Sequence, residues 1–153
     1  EITSSKQAPT TEDRRYYSGA WFEEYTYLRI KEELALRDED ISMSLKIYRN
    51  DFSHNDNEID VAFMFENKLY IIECKVSMNG YGKEPQHHIE NYLYKLAAVS
   101  KDFGLIVRPY IFTLHKMDKL SEHSRENIKK RMRILGICNI VDGIQLSKQN
   151  ISF

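Results

Sequence analysis

The sequence of 153 residues predicts one α/β domain in which a central sheet is flanked by helices. Two short apolar stretches rich in branched and aromatic residues, 57–65 and 69–76, predict the two strands of a hairpin. Apolar residues at helical spacing predict long helices on either side of this hairpin. The complete predicted order is helix, strand, strand, strand, helix, strand, helix, strand, over residues 13–36, 41–48, 57–65, 69–76, 85–103, 105–112, 119–135 and 137–141.

Single residues support several of these elements. Residues 41–48 alternate between apolar and polar, which is typical of a strand. Pro85 suits the first turn of a helix, and Gly136 suits the position just after a helix ends. Pro109 has no N–H to donate to a central ladder, so it predicts an interruption of the strand 105–112.

The first twelve residues are polar and predict a flexible linker, which leaves 13–153 as the folded domain. Thr10 or Thr11 is a candidate cap for the helix that follows. The sequence begins with Glu1 rather than methionine, which is typical of a piece of a longer polypeptide or of a processed form.

The turn between the two hairpin strands predicts their register. Asn67 tolerates a positive φ, so Glu66 and Asn67 are expected to form a two-residue turn. Phe65 then lies opposite Lys68, and every other pair in the hairpin follows from this one. One face of the hairpin is predicted to be core and the other to carry apolar surface: Ile59, Val61, Phe63, Phe65, Tyr70, Ile72, Cys74 and Val76 on the first, and Ala62, Met64, Leu69 and Ile71 on the second.

The same register brings charged residues together at one end of the second face. It places Asp60 opposite Glu73 and Glu58 opposite Lys75. Two carboxylates at this spacing repel each other, so a positive charge is expected between them. Lys75 can supply it, but Mg²⁺, which binds one or two carboxylates together with water and phosphate oxygens, fits the oxygen-rich arrangement better. The competing interpretation is a structural ion pair whose lysine extends to solvent.

This arrangement resembles the PD-(D/E)xK nuclease superfamily, which includes restriction enzymes and Holliday junction resolvases. Asp60 is followed after twelve residues by Glu73-Cys74-Lys75 on a second strand, although Ile59 stands where the proline of the motif would be. The resemblance implies a restriction-endonuclease-like α-β-β-β-α-β core with a mixed central sheet.

A second part of the resemblance lies in the first helix. The segment 19–25 is similar to a superfamily helix that carries an additional acid, which corresponds to Glu23, with Glu24 as the alternative. Helical geometry alone predicts an ordinary surface acid, because Glu23 lies two positions, about 200°, from Trp21.

A narrower resemblance is to the nuclease domain of CRISPR ancillary effectors, which join a CARF sensor to a PD-(D/E)xK domain. It is carried by four segments, 21–25, 57–60, 69–75 and 93–96. It implies a metal-dependent endonuclease for DNA, RNA or both, which forms a homodimer and is activated when cyclic oligoadenylate binds the CARF domain. A CARF domain does not fit within 153 residues, so such a sensor would lie outside this chain.

The resemblance also implies roles for individual residues. Asp60 and Glu73 would bind Mg²⁺ or Mn²⁺ together with the backbone carbonyl of Cys74, and Glu23 would support a second ion or its waters. Lys75 would orient or deprotonate the attacking water, or stabilise the charge that develops on the phosphate.

Three more residues are expected around this centre. Glu58, opposite Lys75, is a candidate for tuning that lysine. Lys95 and Gln86, on the helix 85–103, are candidates for contacting a phosphate or the metal-bound water. For Lys95, a plain surface lysine is an equally good interpretation.

Bulk properties restrict the remaining function classes. The net charge of −1 argues against a broadly basic surface, so phosphate contacts would come from a local patch such as Lys129-Lys130-Arg131 with Arg133, which equally fits a solvated helix face. No apolar run approaches the roughly 20 residues of a membrane span. The two cysteines lack metal-ligand spacing, which favours a cytoplasmic protein with reduced thiols.

Two alternatives to an active nuclease remain at this stage. One is a catalytically inactive nuclease fold that serves for nucleic-acid binding or dimerisation. The other is an α/β binding domain in which the acids form a network of salt bridges. Metal binding separates both from the nuclease, because neither requires an ion at the paired carboxylates.

Overall fold

A mixed five-stranded sheet forms the centre of the domain. The computed structural model describes residues 10–48, 57–78, 85–104, 106–148, 151 and 153. The strands are β1 (Ile41–Ile47), β2 (Asn57–Phe65), β3 (Lys68–Lys75), β4 (Val107–Thr113) and β5 (Asn139–Val141), and they lie side by side in this order. The first three are antiparallel, whereas β3, β4 and β5 are parallel to one another. The predicted fold class, a mixed sheet flanked by helices, is confirmed.

Helices cover both faces of this sheet. They are α1 (Thr11–Arg15), α2 (Trp21–Glu33), α3 (Pro85–Ser100), α4 (Glu122–Leu135) and the short α5 (Gly143–Leu146). Ser121 caps the start of α4, and Gly136 ends it in the left-handed conformation at φ 72°, as its position in the sequence predicts.

The first helix begins earlier than predicted. The side chain of Thr10 accepts a hydrogen bond from the N–H of Asp13, and the Asp13 carboxylate accepts one from the N–H of Thr10 in return. This reciprocal cap confirms Thr10 as the capping residue. Residues 10–12 therefore belong to a capped helix rather than to the predicted linker, and residues 1–9 lie outside the described part of the chain.

A π-helical turn, Tyr16–Ala20, joins α1 to α2 and bends the chain at Gly19. This turn replaces the single uninterrupted helix that was predicted over 13–36. Such turns inside helices are frequent at functional sites, because they change the direction in which neighbouring side chains point.

The hairpin of β2 and β3 has the predicted register. Phe65 pairs with Lys68 and Val61 pairs with Ile72, as the turn residues require. Glu66 and Asn67 both have positive φ, 48° and 58°, which is the geometry of a type I′ two-residue turn.

Both faces of the hairpin are core, which corrects the prediction of one buried and one surface face. Val61, Phe63 and Ile72 pack with residues of α2 on one side of the sheet. Ala62 and Ile71, predicted as apolar surface, pack beneath α3 and α4 on the other side. A sheet with parallel strands is covered by helices on both faces, so both sets of side chains lose contact with water.

Ile59 was assigned to the wrong face. It packs with Ala62 in the core beneath α3 and α4, although strict alternation puts residues three apart on opposite faces. The alternation is therefore interrupted between them, at Asp60. The neighbouring strand β1 is irregular at the position opposite Asp60, where Ser44 has a φ of 53°.

Strand β4 runs through Pro109 without the predicted interruption. The Pro109 carbonyl accepts a hydrogen bond from the N–H of Cys138, on the side of the strand that faces β5. The N–H and C=O groups of one strand residue point toward the same neighbouring strand, so the N–H that proline lacks would also face β5. The pairing with β5 begins only at Tyr110, and the proline therefore removes no bond from that ladder.

Candidate active site

Three charged side chains of the hairpin meet at the end of β3. The ammonium of Lys75 lies 2.8 Å from Oε1 of Glu73 and 3.6 Å from Oδ2 of Asp60. Both oxygens contact the same nitrogen, so the distance between Oε1 of Glu73 and Oδ2 of Asp60 cannot exceed the sum of these two distances. The predicted convergence of Asp60 and Glu73 is therefore confirmed.

Asp60 is held by the backbone of the neighbouring strand. Its Oδ2 accepts a hydrogen bond of 2.6 Å from the N–H of Cys74. Burial and the nearby charge of Glu73 nevertheless raise the pKa of Asp60 to about 6, against the opposing effects of Lys75 and of the Cys74 N–H. The site therefore gathers more negative charge than Lys75 neutralises.

Glu73 is the more deeply buried of the two acids, with 3% of its surface exposed. A second lysine, Lys95 of α3, contacts both of its carboxylate oxygens, at 3.0 and 3.1 Å. Lys95 is therefore not a plain surface lysine. Helix α3 contributes a cation to the same carboxylate that Lys75 contacts from β3.

Lys75 is a cation at neutral pH in this arrangement. Burial disfavours its charged form, but the carboxylates of Glu73 and Asp60 together outweigh this and raise the pKa of Lys75 above its ordinary value. Its ammonium also lies 5.3 Å from the centre of the Tyr92 ring, at a distance typical of a cation–π contact. Tyr92 was predicted only as an apolar residue of α3.

Glu23 lines a cleft of about 370 Å³ that borders this cluster. The cleft is lined by Glu23 from α2 and by Lys75 from β3, so the helix and the hairpin contribute to one cavity. Partial burial raises the pKa of Glu23, and the charges of Glu58 and Glu73 act in the same direction while Lys75 opposes them. Glu23 is therefore within electrostatic range of the cluster and is not an ordinary surface acid.

The structure places the other predicted residues differently. Glu58 forms an ion pair with Arg15, at 3.9 Å, and no ion pair between Glu58 and Lys75 is found in the described part of the chain. The irregularity of β2 at Asp60 is the physical reason, because the regular register with β3 ends at Val61. Glu24 accepts a hydrogen bond from Tyr16. The side chain of Gln86 lies outside the described residues.

Oxygen atoms are the only suitable metal donors at this site. Cys74 contributes no thiolate, because its sulfur is buried beneath α2 and burial raises the pKa of the thiol well above its ordinary value. Among the described residues there is no group of three or more His, Cys, Asp or Glu side chains that could hold a metal ion. Any ion here would depend on two carboxylates, Asp60 and Glu73, together with backbone, water or substrate oxygens.

The family model described as Card1-like, endonuclease domain, matches residues 10–143. The chain belongs to this family. A comparison with curated proteins gives no match. The matched segment of this Card1-like endonuclease domain contains every residue that the sequence predicted for the site.

Two solved structures share the fold. Protein VC1899 from Vibrio cholerae aligns with a TM-score of 0.66 and 27% identity, over 92% of this chain and 34% of its own. Can2 from Sulfobacillus thermosulfidooxidans, solved in complex with cyclic tetra-adenylate, aligns with a TM-score of 0.66 and 24% identity, over 97% of this chain and 40% of its own. The Card1-like domain thus spans well under half the length of either protein.

The family match confirms the resemblance to an endonuclease domain of the PD-(D/E)xK kind. No described helix of the Card1-like domain is long and apolar enough to cross a membrane.

Two of the four residues of the predicted basic patch on α4, Lys129 and Arg131, form intramolecular ion pairs. Lys129 pairs with Glu126, and Arg131 pairs with Glu90 of α3 at 3.0 Å. Arg131 also lies over the ring of Tyr94, 5.7 Å from its centre. These contacts join α4 to α3 and favour the interpretation as a solvated helix face.

Proposed function

We propose that the domain is a metal-dependent endonuclease that hydrolyses phosphodiester bonds in DNA, RNA or both, with Asp60 and Glu73 as the metal ligands. Membership in an endonuclease family gives the reaction class. The observation that carries the assignment of residues is the convergence of two buried carboxylates on one ammonium beside an open cleft.

The donor set of this site fits a hard divalent cation. Burial and the neighbouring Glu73 raise the pKa of Asp60 to about 6, so the ionised form of Asp60 is disfavoured without a further cation. Mg²⁺ and Mn²⁺ are bound by carboxylate and carbonyl oxygens, and Mg²⁺ needs no more than one or two carboxylates when water and phosphate complete its coordination. Asp60, Glu73 and the backbone carbonyl of Cys74 would hold the ion. When bound, it would polarise the phosphodiester and lower the pKa of a coordinated water.

Lys75 supplies a fixed positive charge to this chemistry. Its raised pKa keeps it protonated near neutral pH, which favours orienting the attacking water or stabilising the charge on the phosphate over removing a proton. Tyr92 and the two carboxylates hold the ammonium in place, so the charge is present before the reaction begins.

Lys95 and Glu23 act around this centre. Lys95 contacts both oxygens of Glu73, which fixes the orientation of that carboxylate toward the rest of the site. Glu23 lines the same cleft as Lys75, where it would support a second ion or its waters. Glu58 forms an ion pair with Arg15, which lines the same cleft. We therefore assign Glu58 to Arg15 rather than to the predicted role of tuning Lys75.

We further propose that this domain is the effector part of a cytoplasmic, dimeric CRISPR defence protein that responds to cyclic oligoadenylate. Two facts support this. VC1899 and Can2 are both more than twice as long as the segment that aligns with this chain, which leaves room for a CARF-type sensor in a longer protein. Can2 was solved with cyclic tetra-adenylate bound.

One observation favours an inactive nuclease fold as the second candidate. Glu73 is already paired with two lysines, as in a structural network of salt bridges. Titration calorimetry with Mn²⁺ distinguishes the candidates, since an inactive fold of this kind should bind the ion poorly. An active site should bind it, and replacing Glu73 with glutamine should remove the heat of binding.

The main experiment is incubation of the domain with supercoiled plasmid, single-stranded DNA and RNA, each with Mn²⁺, Mg²⁺ or EDTA. We expect cleavage of at least one substrate with a metal ion and none with EDTA. Cleavage that persists in EDTA would contradict the metal-dependent mechanism. A domain that binds Mn²⁺ but cuts only when fused to its sensor would agree with regulation by the rest of the protein.

A further inference from the structure

Two exposed tyrosines directly follow Arg15, which lines the cleft described above. Tyr16 and Tyr17, in the π-helical turn, expose 45% and 76% of their surfaces. Large aromatic rings usually gain stability by burial, so two adjacent exposed rings contribute little to the core. The proposed catalytic residues make no use of either ring.

Tyr16 lies next to residues that line the cleft. Arg15, directly before it in the chain, and Ala20 both line the cavity that Glu23 and Lys75 share. Ala20 and Glu24 are four residues apart at the start of α2 and so share one side of that helix, and the Tyr16 hydroxyl reaches Glu24 on this side.

The Tyr16 ring is fixed in orientation. Its hydroxyl donates a hydrogen bond to Oε2 of Glu24 at 3.1 Å. The ring of Tyr17 packs against it edge-on, with the centres 6.1 Å apart and the planes at 76°. A ring held at its hydroxyl and at its edge loses little freedom when a flat partner stacks on its open face.

A cation lies next to this ring. Arg15 is 72% exposed at its side chain and forms an ion pair with Glu58 at 3.9 Å. An exposed ring adjacent to an exposed arginine is a combination that can bind a base and its phosphate, because stacking accepts any base and the guanidinium accepts any phosphate.

We propose that Tyr16 is a stacking surface for a nucleobase of the substrate and that Arg15 contacts the adjacent phosphate. The proposal rests on the nuclease function proposed above. Bound in this way, an unstacked base at the rim of the cleft would fix the position of the strand relative to Lys75 and the paired carboxylates. Tyr17 would act only by supporting the Tyr16 ring from its edge.

The test is fluorescence anisotropy with a short fluorescein-labelled deoxyadenylate strand, with Ca²⁺ in the buffer and the strand length checked on a gel afterwards. Tyr16→Leu removes the ring, and we expect it to weaken binding roughly tenfold. Tyr16→Phe keeps the ring and loses only the bond to Glu24, so it should bind within about threefold of the wild type. A strand of the same length built from abasic sites should bind the wild type and Tyr16→Leu equally.

Tyr94 provides the matched control. It exposes 48% of its surface, and its hydroxyl is likewise bound to a charged side chain, Arg131, but it lies on α3, on the other face of the sheet. Tyr94→Leu should leave binding unchanged. The proposal is overturned if Tyr16→Leu binds like the wild type, if Tyr94→Leu loses as much, or if Tyr16→Phe binds as weakly as Tyr16→Leu.

The outcome for the proposed function can be read separately. If the wild-type domain binds and cuts the strand but the Tyr16 variants behave like it, the stacking surface is wrong and the nuclease stands. If the wild type neither binds nor cuts any of the nucleic acids offered, the nuclease function fails and the stacking surface fails with it.

Discussion

Asp60 and Asp142 are both buried aspartates at this sheet, yet their surroundings differ. They expose 8% and 6% of their surfaces. Asp142 accepts three backbone hydrogen bonds, from Ile144 and Gln145 at the start of α5 and from Met117. Asp60 accepts one, from Cys74, and shares its surroundings with Glu73.

The difference teaches that burial alone does not mark a functional acid. The negative charge of Asp142 is met by backbone dipoles, which is the way a helix cap stabilises a fold. Asp60 is buried with a second carboxylate beside it, and these two effects raise its pKa to about 6 against the opposing effects of Lys75 and the Cys74 N–H. An acid that the fold leaves short of positive charge is the better candidate for binding an ion.

The largest expected effect concerns cleavage. Asp60→Asn should lower metal-dependent cleavage by at least about a hundredfold, because the neutral amide replaces a charged ligand while keeping the size of the side chain. Gel assays of initial rates on whichever substrate the wild type cuts provide the measurement. Glu66→Gln, which changes an exposed acid in the turn of the same hairpin, should cut at the wild-type rate. An Asp60→Asn protein as active as the wild type would remove Asp60 from the site.

The next effect concerns stability and belongs to the other aspartate. Asp142→Ala should lower the free energy of unfolding by about 2–4 kcal/mol, since it removes a helix cap and leaves buried N–H groups without an acceptor. Urea denaturation followed by circular dichroism measures the change. Asp118→Ala, at an exposed acid in the same region, should change it by less than about 0.5 kcal/mol. Equal midpoints for wild type and Asp142→Ala would show that the cap contributes nothing.

The third prediction follows from the raised pKa of Asp60. An aspartate is ordinarily ionised above pH 4, but the folded protein holds on to the Asp60 proton until about pH 6. Its contribution to stability is therefore complete below about pH 4 and is lost as the pH rises through 6. In EDTA at pH 7.5, Asp60→Asn should be more stable than the wild type by about 2 kcal/mol, and the difference should vanish near pH 4.

Urea midpoints across this pH range test that prediction. Asp118→Asn is the control, because an exposed carboxylate should show no such pH-dependent difference. If Asp60→Asn is less stable than the wild type at pH 7.5, the negative charge of Asp60 is fully compensated by Lys75 and Cys74, and the contrast with Asp142 disappears.

The smallest effect concerns Lys95. Lys95→Met should lower cleavage by about tenfold, because it removes one of the two lysines that hold Glu73 while leaving the acid itself in place. Lys95→Arg should recover part of the rate. The control is Lys101→Met, at an exposed lysine just after α3, which should have no effect. A Lys95→Met protein that cuts normally would make Lys95 a structural partner of Glu73 only.

Local signals predicted much of the sheet and its charged end. The positive φ of Glu66 and Asn67 fixes the hairpin register, so the opposition of residues near Asp60 and Glu73 follows from one turn. The C-terminal end of α4 followed from Gly136, whereas the helix begins at Glu122 rather than at the predicted residue 119. The predicted face of Ile59 and the predicted partner of Glu58 were wrong. Both depend on the irregularity of the sheet at Asp60 and Ser44, which cannot be recognised from the alternation of apolar and polar residues.

Contacts between residues far apart in the chain could not be predicted from such local signals. Arg15 was not predicted as a neighbour of the site, since its position depends on the π-helical turn between α1 and α2. Tyr92 carried only an apolar signal, yet its ring lies over the ammonium of Lys75. The helix α5 was not predicted, although a cap pattern of Asp142 with Gln145 was present in the sequence and could have indicated it.

The strands, the turn between them and the three charged residues of the hairpin could be predicted from sequence, because they belong to one continuous hairpin whose register depends on its turn. The raised pKa of Asp60 is a property of the folded domain alone. That depends on how α2 and α3 pack on the two faces of the sheet, since packing fixes the distance of Glu23 and Lys95 from the hairpin and excludes water from it. Electrostatic energy depends on those distances and on the exclusion of water, and neither can be predicted from the amino-acid sequence alone.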